Sequence, residues 1–170
     1  WRPTVADRTP AQIGKANREA GKRAERKVAQ YLEAHGLGNG RRNLAGYARD
    51  HGDVGPVTDR DGDRWVVEVK SWQDPTPGKV EAAAKEAARE AEHASAPLWV
   101  LVVRRPGCAD VGRWWAYLPT WAMRGWISGI GPAVRRSVWA YDPASHPDDL
   151  VQMPLRQWVA LVAPDQEATA

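Results

Sequence analysis

The sequence predicts an α/β protein with a central mixed β-sheet flanked by helices, and three segments carry this prediction. Residues 64–72 and 98–103 are short apolar runs rich in valine and tryptophan, which is typical of buried strands. Between them, residues 79–94 are alanine-rich, as expected of a helix that packs closely on a sheet. A strand, a helix and a second strand in this order are typical of a parallel pair joined by a helical crossover.

An N-terminal helix is predicted over residues 11–35. Thr9 and Pro10 resemble an N-cap followed by proline at the first helical position, and Gly36 is expected to end the helix. Glu25 lies in line with the apolar face of this helix, so we expect its carboxylate to point inward. That face consists of Gly21, Glu25, Val28, Ala29 and Leu32, and the opposite face carries Lys22, Arg23, Arg26 and Lys27.

Two strands and a tight turn are predicted after this helix. Residues 41–47 and 52–57 have the composition of strands, and the acidic, glycine-containing stretch at residues 59–63 predicts a hairpin turn. One register of this hairpin places Asp53 opposite Glu68, and the register one residue later places Asp53 opposite Lys70. Both registers put the three charged side chains on one face of the sheet.

The C-terminal third is expected to pack on the core. Residues 114–118 predict a further strand, residues 120–127 and 154–162 predict helices, and residues 137–141 have the character of a strand. We therefore divide the chain into a core of residues 1–119 and a C-terminal extension of residues 120–170 that frays at its end.

The most informative pattern is an acid and a lysine inside the apolar strand at residues 64–72. Successive side chains of a strand point to opposite faces, so Glu68 and Lys70 share a face with Val66, away from Trp65, Val67 and Val69. Burying charge is unfavourable unless the charge is paired or binds a metal. The pattern therefore indicates either an ion pair or an active site.

The order of these features resembles the PD-(D/E)xK nuclease superfamily. The segments GKRAERKVAQYLEAHG, HGDVGPV and WVVEVKSW are similar to the helix, acidic hairpin and acid-lysine strand of archaeal and phage-type Holliday junction resolvases and RecB-like nucleases. The resemblance covers residues 15–105 and implies a restriction-endonuclease-like core. One departure is Gly52, which precedes Asp53 where the family often has proline.

The resemblance implies a metal-dependent endodeoxyribonuclease. Hard carboxylate oxygens suit Mg²⁺ or Mn²⁺, and we assign Asp53 and Glu68 as direct ligands. The family pattern adds the backbone carbonyl of Val69, and Glu25 acting through water or on a second metal. Lys70 is expected to orient the attacking water or help to deprotonate it, and to offset charge on the phosphate.

DNA, and branched DNA in particular, is the expected partner. A resolvase must cut two strands symmetrically, which implies a homodimer with one active site per subunit. No organic cofactor is expected. The cations predicted to contact DNA phosphates, without reading base sequence, are Lys22, Arg23, Arg26, Arg41 and Arg42.

The composition is compatible with this hypothesis and excludes several other kinds of site. The formal charge of +3 fits a polyanionic partner but does not require one. The single cysteine excludes an intramolecular disulfide and a cysteine-ligated structural zinc site. There is no apolar run of membrane-spanning length and no apolar core of a secretory signal, so we expect an intracellular, cytoplasmic protein without membrane attachment. The resemblance is compatible with a prokaryotic or phage setting.

Three alternatives remain open from the sequence. Glu68 and Lys70 can form a simple ion pair, and the cationic side of the first helix can be an ordinary solvated surface. A nuclease with the same motif can act on DNA ends, flaps or ordinary duplex. A non-catalytic DNA-binding module of the same fold is the alternative outside enzymes.

Overall fold

The computed structural model describes residues 9–41, 52–127 and 150–164, and these form an α/β protein with a mixed open sheet. The strands are β1 (Val57–Thr58), β2 (Arg64–Lys70), β3 (Leu98–Val103), β4 (Trp115–Pro119) and β5 (Leu150–Pro154). The helices are α1 (Pro10–Glu33), α2 (Pro77–His93), α3 (Thr120–Ile127) and α4 (Leu155–Val162), with a 3₁₀ turn at Val111–Arg113.

The five strands are arranged in the order β1-β2-β3-β4-β5. The β2 and β3 strands are parallel and are joined by α2, whereas the other three neighbouring pairs are antiparallel. All six residues of β3 are buried, because this strand is central and both of its faces are covered. The predicted α/β class, mixed sheet and helical crossover are confirmed.

Two apolar layers cover the faces of the sheet, and β2 contributes to both. Trp65, Val67 and Val69 pack with buried residues of α1 and α4. Val66 packs on the opposite face with the buried alanines of α2 and with Leu101 of β3. The predicted alternation of side chains along β2 is confirmed, so Glu68 and Lys70 start from the face that α2 covers.

The ends of α1 and α2 follow from short signals in the sequence. The Thr9 side chain accepts a hydrogen bond from the backbone N–H of Gln12, and the Gln12 side chain accepts one from the backbone N–H of Thr9, which completes a capping box before α1. Proline occupies an early position in both helices, where its missing N–H has no helical partner to lose. Both helices lie within two residues of their predicted bounds.

The first predicted hairpin strand is largely absent. Residues 52–56 are irregular apart from a single bridge at Val54, and regular pairing is restricted to Val57 and Thr58. Gly52 has a φ of 79°, which interrupts extended backbone before β1. Of the strand predicted at residues 41–47, the structure describes only Arg41, which is outside regular structure, and residues 42–47 lie outside the described part of the chain.

The predicted turn at residues 59–63 is confirmed, but its register is not. The buried Asp59 carboxylate accepts hydrogen bonds from the backbone N–H groups of Asp61 and Asp63, and from Nε1 of Trp65. Pairing of Val57 with Trp65 centres the hairpin on Asp61, midway between the two predicted registers. Both register predictions are wrong, because the hydrogen bonds of the Asp59 side chain close a turn that is centred on one residue, whereas both predicted registers centre it between two residues.

The described part of the C-terminal extension continues the sheet. We did not predict β5, which pairs antiparallel with β4, whereas α3 and α4 match the predicted helices within one residue. Trp158 of α4 is fully buried, and its ring meets that of Trp65 edge-on at a centroid distance of 5.2 Å. The strand predicted at residues 137–141 lies outside the described residues. No helix among the described residues is long and apolar enough to span a membrane.

Candidate active site

Glu68 is the buried acid of the candidate site. Only 4% of the surface of Glu68 is exposed, and its Oε1 atom lies 2.6 Å from Nζ of Lys70. The two residues are neighbours on one face because β2 remains extended to Lys70. The predicted pairing of acid and lysine in space is therefore present in the structure.

Two hydrogen bonds to the backbone of β2 hold Asp53 beside Glu68. Its backbone N–H donates to the carbonyl of Val67 at 3.0 Å, and its Oδ2 atom accepts from the backbone N–H of Val69 at 2.8 Å. The side chain thus occupies the position that a partner strand's carbonyl would take in a ladder. A carboxylate held in this way lies beside Glu68 although the predicted hairpin registers are wrong.

Glycine at position 52 allows this approach. A Cβ atom there would lie 2.8 Å from Cγ1 of Val66 and 3.0 Å from the carbonyl oxygen of Val67, in addition to the positive φ. Proline, whose φ is fixed near −65°, cannot adopt this backbone. The departure from the proline-aspartate pattern therefore has a steric reason in this chain.

The α2 helix adds two acids that were not among the predicted site residues. Oε2 of Glu86 lies 2.9 Å from Nζ of Lys70, so the ammonium group is bound between Glu68 and Glu86. Glu90, one turn later, repels the Glu68 carboxylate. The available signal was the spacing of Glu86 and Glu90 beside the small residues Ala83 and Ala87, which face the sheet.

Burial and mutual repulsion make the two carboxylates hard to ionise together. Loss of hydration, followed by repulsion from Asp53, raises the pKa of Glu68 to about 9, despite its hydrogen bond with Lys70. Burial also raises the pKa of Asp53 above its ordinary value, although the Val69 hydrogen bond and the Lys70 charge oppose the rise. In the absence of another cation, the pair retains a proton near neutral pH.

Lys70 is held in its charged form. Burial acts to lower its pKa, but hydrogen bonds with Glu68 and Glu86 outweigh that effect and raise the pKa above its ordinary value. The ammonium group therefore acts as a fixed positive charge and hydrogen-bond donor beside the acids. One lysine shared by several carboxylates leaves negative charge that a divalent cation could neutralise.

The residues present fit a hard divalent cation. Asp53 and Glu68 supply adjacent carboxylates, and the backbone of Lys70 accepts from Arg104 on the β3 side, so the Val69 carbonyl points to the side where Asp53 lies. Within the described ranges, no group of three or more His, Cys, Asp or Glu side chains is arranged around a metal position. The set fits Mg²⁺ or Mn²⁺, which take few protein ligands and keep several waters.

Glu25 is placed differently from the other acids. It is half-buried on α1, and α1 packs against the Val67 and Val69 side of β2. The helix that carries Glu25 thus lies across the sheet from the face on which Glu68 and Lys70 project. A role for Glu25 through water or a second metal stays a prediction.

The cations predicted to contact DNA are distributed over several surfaces. Lys22 is exposed, and its Nζ atom lies 3.4 Å from Oε1 of Glu19. Arg23 lines a cavity together with Lys27 and Arg104. Arg26 is exposed on α1, and Arg41 is exposed in the loop before the undescribed segment. Arg42 lies outside the described residues.

The comparisons with known proteins add no family to this geometry. Neither protein-family models, nor curated proteins, nor solved structures gave a match to the chain. The functional assignment of Asp53, Glu68 and Lys70 therefore depends on their own positions, contacts and charges.

Proposed function

We propose that this protein is a metal-dependent DNA endonuclease with a restriction-endonuclease-like core. Its reaction is hydrolysis of phosphodiester bonds, and its preferred substrate is a four-way DNA junction. The observation that carries the proposal is the carboxylate pair of half-buried Asp53 and buried Glu68, with the Lys70 ammonium group bound to Glu68. The substrate preference comes from the resemblance to Holliday junction resolvases.

The chemistry of phosphodiester hydrolysis explains why these residue types belong together. Negative charge increases on the phosphate as water attacks, so a site must supply positive charge and hydrogen-bond donors at that point. Mg²⁺ or Mn²⁺, held by Asp53, Glu68 and the Val69 carbonyl, would supply a Lewis acid and lower the pKa of a bound water. Lys70 would donate to a phosphate oxygen or orient the water.

A purely structural ion pair explains the site less well. A half-buried lysine needs only one carboxylate partner, whereas here Glu68 and Glu86 both bind Lys70 and Asp53 adds a third acid. Burial, followed by repulsion from Asp53, raises the pKa of Glu68, so the neighbouring carboxylate makes Glu68 harder to ionise. Such an arrangement disfavours the metal-free fold and favours a bound divalent cation, which supports a catalytic role.

The substrate is tested by cleavage of labelled DNA. Four-way junctions, linear duplex, flaps and single strands are incubated separately with Mg²⁺ or with EDTA. Paired symmetric nicks on junctions alone, from a protein whose mass in solution is that of a dimer, would support the resolvase proposal. Equal cutting of linear duplex would favour a restriction-type or RecB-like nuclease, and absence of any metal-dependent product would leave a non-catalytic DNA-binding module.

The site is tested by Asp53→Ala. This change removes a proposed ligand, so we expect cleavage to fall by at least about a thousandfold while DNA binding measured in EDTA persists. The matched control is Asp74→Ala, which removes an exposed carboxylate after β2 and should cut normally. Normal cleavage by Asp53→Ala with Mg²⁺ would show that the site is assigned wrongly.

A further inference from the structure

A cationic cavity lies between α1 and the segment that follows β3. Its volume is about 380 Å³, which is in the range of cavities that bind small organic ligands. The buried residues Ala24 and Trp114 form part of its wall, and the half-buried Cys108 also lines it. The cavity is separate from the Glu68 carboxylate, because α1 and Trp114 belong to the opposite face of the sheet.

Three cations line this cavity without a carboxylate among the described lining residues. Arg23 and Lys27 are one helical turn apart on α1, so their side chains extend from the same face of the helix. Arg104 approaches from the end of β3. In the part of the chain that the structure describes, none of the three takes part in an ion pair. Their positive charges are therefore available to an anionic ligand.

Arg104 links this cavity to the candidate active site. Its backbone N–H donates to the carbonyl of Lys70 at 2.8 Å, so the two residues are adjacent at the same edge of the sheet. The Lys70 side chain projects to the α2 face, whereas that of Arg104 enters the cavity on the α1 face. A nucleic-acid strand that crosses this edge would pass from the cations of the cavity to the candidate active site.

We propose that the cavity binds backbone phosphates of the nucleic-acid strand next to the bond that is cleaved. The inference rests on the proposed nuclease function, and it names Arg23, Lys27 and Arg104 as the residues that position the strand. Arginine and lysine bind phosphate without reading base sequence. The cavity therefore contributes affinity and orientation. Lys22 and Arg26, which were also predicted to contact DNA, lie outside the cavity lining on the neighbouring side of α1, so their removal should weaken binding less.

The helix provides a matched pair of variants for the test. Arg23→Ala/Lys27→Ala and Lys22→Ala/Arg26→Ala each remove two positive charges, at the same spacing, from adjacent faces of α1. Binding of a labelled oligonucleotide is measured in EDTA by fluorescence anisotropy over a range of salt concentrations. The cavity variant should bind about tenfold more weakly or worse, and the slope of log K against log salt should fall by about 1 for each phosphate that is no longer bound.

The outcomes separate this inference from the nuclease proposal, because binding is measured without metal and cleavage is measured separately. Equal loss of affinity in the two double variants would indicate diffuse attraction and would overturn the cavity assignment, whether or not the protein cuts DNA. Absence of nucleic-acid binding by the unaltered protein would overturn it as well. Thermal unfolding of both variants checks that these exposed substitutions leave the fold intact.

Cys108 offers a second, local measurement. It is the only cysteine of the chain and lines the cavity, so its rate of reaction with a maleimide reports whether the cavity is filled. An oligonucleotide should slow labelling of the unaltered protein and have little effect on Arg23→Ala/Lys27→Ala. Equal protection by inorganic phosphate at the same phosphate concentration would identify a small-anion site and overturn the assignment to a strand.

Discussion

At the scale of single residues, the fold places two carboxylates where ionising both is unfavourable. Asp53 and Glu68 are both more difficult to ionise than ordinary carboxylates, because they share a poorly hydrated space. Such repulsion is useful where a divalent cation is to be bound, since the cation removes it on binding. Stability and metal affinity should therefore respond in opposite directions to loss of one acid.

Asp53→Asn should stabilise the metal-free protein at alkaline pH. The folded-state pKa of Glu68 is raised to about 9. The free energy of unfolding therefore falls as the pH rises from the ordinary pKa of this carboxyl group towards 9, because ionised Glu68 is less stable in the folded protein than in the unfolded chain. Asparagine keeps an acceptor for the Val69 N–H and removes the repulsion, so we expect a gain of about 1–3 kcal/mol in the free energy of unfolding at pH 8.

Denaturant titrations between pH 5 and 9 in EDTA would measure this effect. The stability of the unaltered protein should fall more steeply with rising pH than that of Asp53→Asn, and parallel curves would contradict the argument. Adding Mg²⁺ at pH 8 should stabilise the unaltered protein and have little effect on the variant, because a ligand that binds only the folded state raises its stability.

Gly52→Ala should damage the site through the backbone. The new Cβ would meet Val66 and Val67 at less than ordinary contact distance, at a positive φ that alanine disfavours. We expect a loss of about 1–3 kcal/mol in stability together with reduced cleavage. Gly78→Ala is the control, because its Cβ would meet nothing within 4 Å in α2 and should be neutral or stabilising. Equal effects of the two changes would argue against a special role for Gly52.

At the scale of elements, α2 has two tasks. It connects the parallel strands β2 and β3, and it covers the face of β2 on which Glu68 lies. Its buried residues are mostly alanines, and their small side chains let the helix axis approach the sheet. This approach brings Oε2 of Glu86 to 2.9 Å from Nζ of Lys70. The small side chains of α2 therefore help to set the geometry of the candidate site.

Ala87→Leu should separate α2 from the sheet. Ala87 is completely buried, so a larger side chain there overpacks the layer and should lower the free energy of unfolding by about 1–3 kcal/mol. Because Glu86 moves with the helix, cleavage should fall as well. Arg89→Leu, at an exposed position of α2, is expected to change stability by no more than about 0.5 kcal/mol. Denaturant titration measures the free energy of unfolding of both variants. Equal losses in Ala87→Leu and Arg89→Leu would contradict the role given to the packing of α2.

At the scale of the whole molecule, the described C-terminal residues complete the core that supports the hairpin and β2. The backbone N–H of Arg60 in the hairpin turn donates to the carbonyl of Val162, and Trp158 packs against Trp65 at the start of β2. Removing this support should affect the turn, although the turn lies about one hundred residues earlier in the chain. The extension is thus part of the structure that positions the acids.

Trp158→Ala should be the most destabilising of these substitutions. The side chain is fully buried, so its removal should cost about 3–5 kcal/mol in stability. Trp158→Phe should cost much less, because the Nε1 atom is buried without a hydrogen-bond partner among the described residues. Similar losses of stability in both variants, measured by denaturant unfolding, would show that the indole shape matters more than the volume it fills.

Features that depend on local periodicity could be predicted from the amino-acid sequence alone. The alternation in β2 separated Glu68 and Lys70 from Trp65 and Val67, and the alanine-rich segment between two apolar runs gave the parallel pair with its crossover helix. These predictions succeeded because side-chain direction in a strand or helix follows from the backbone repeat alone.

Features that depend on contacts between distant residues could be seen only in the folded structure. Asp53 is positioned by hydrogen bonds to Val67 and Val69, Glu86 reaches Lys70 only once α2 packs on the sheet, and β5 forms only against β4. The buried Asp59 carboxylate likewise fixed a hairpin register that local pattern could not select. The physical reason is that strand register and helix placement are set by which groups find partners across the fold, and nearby sequence does not contain those partners.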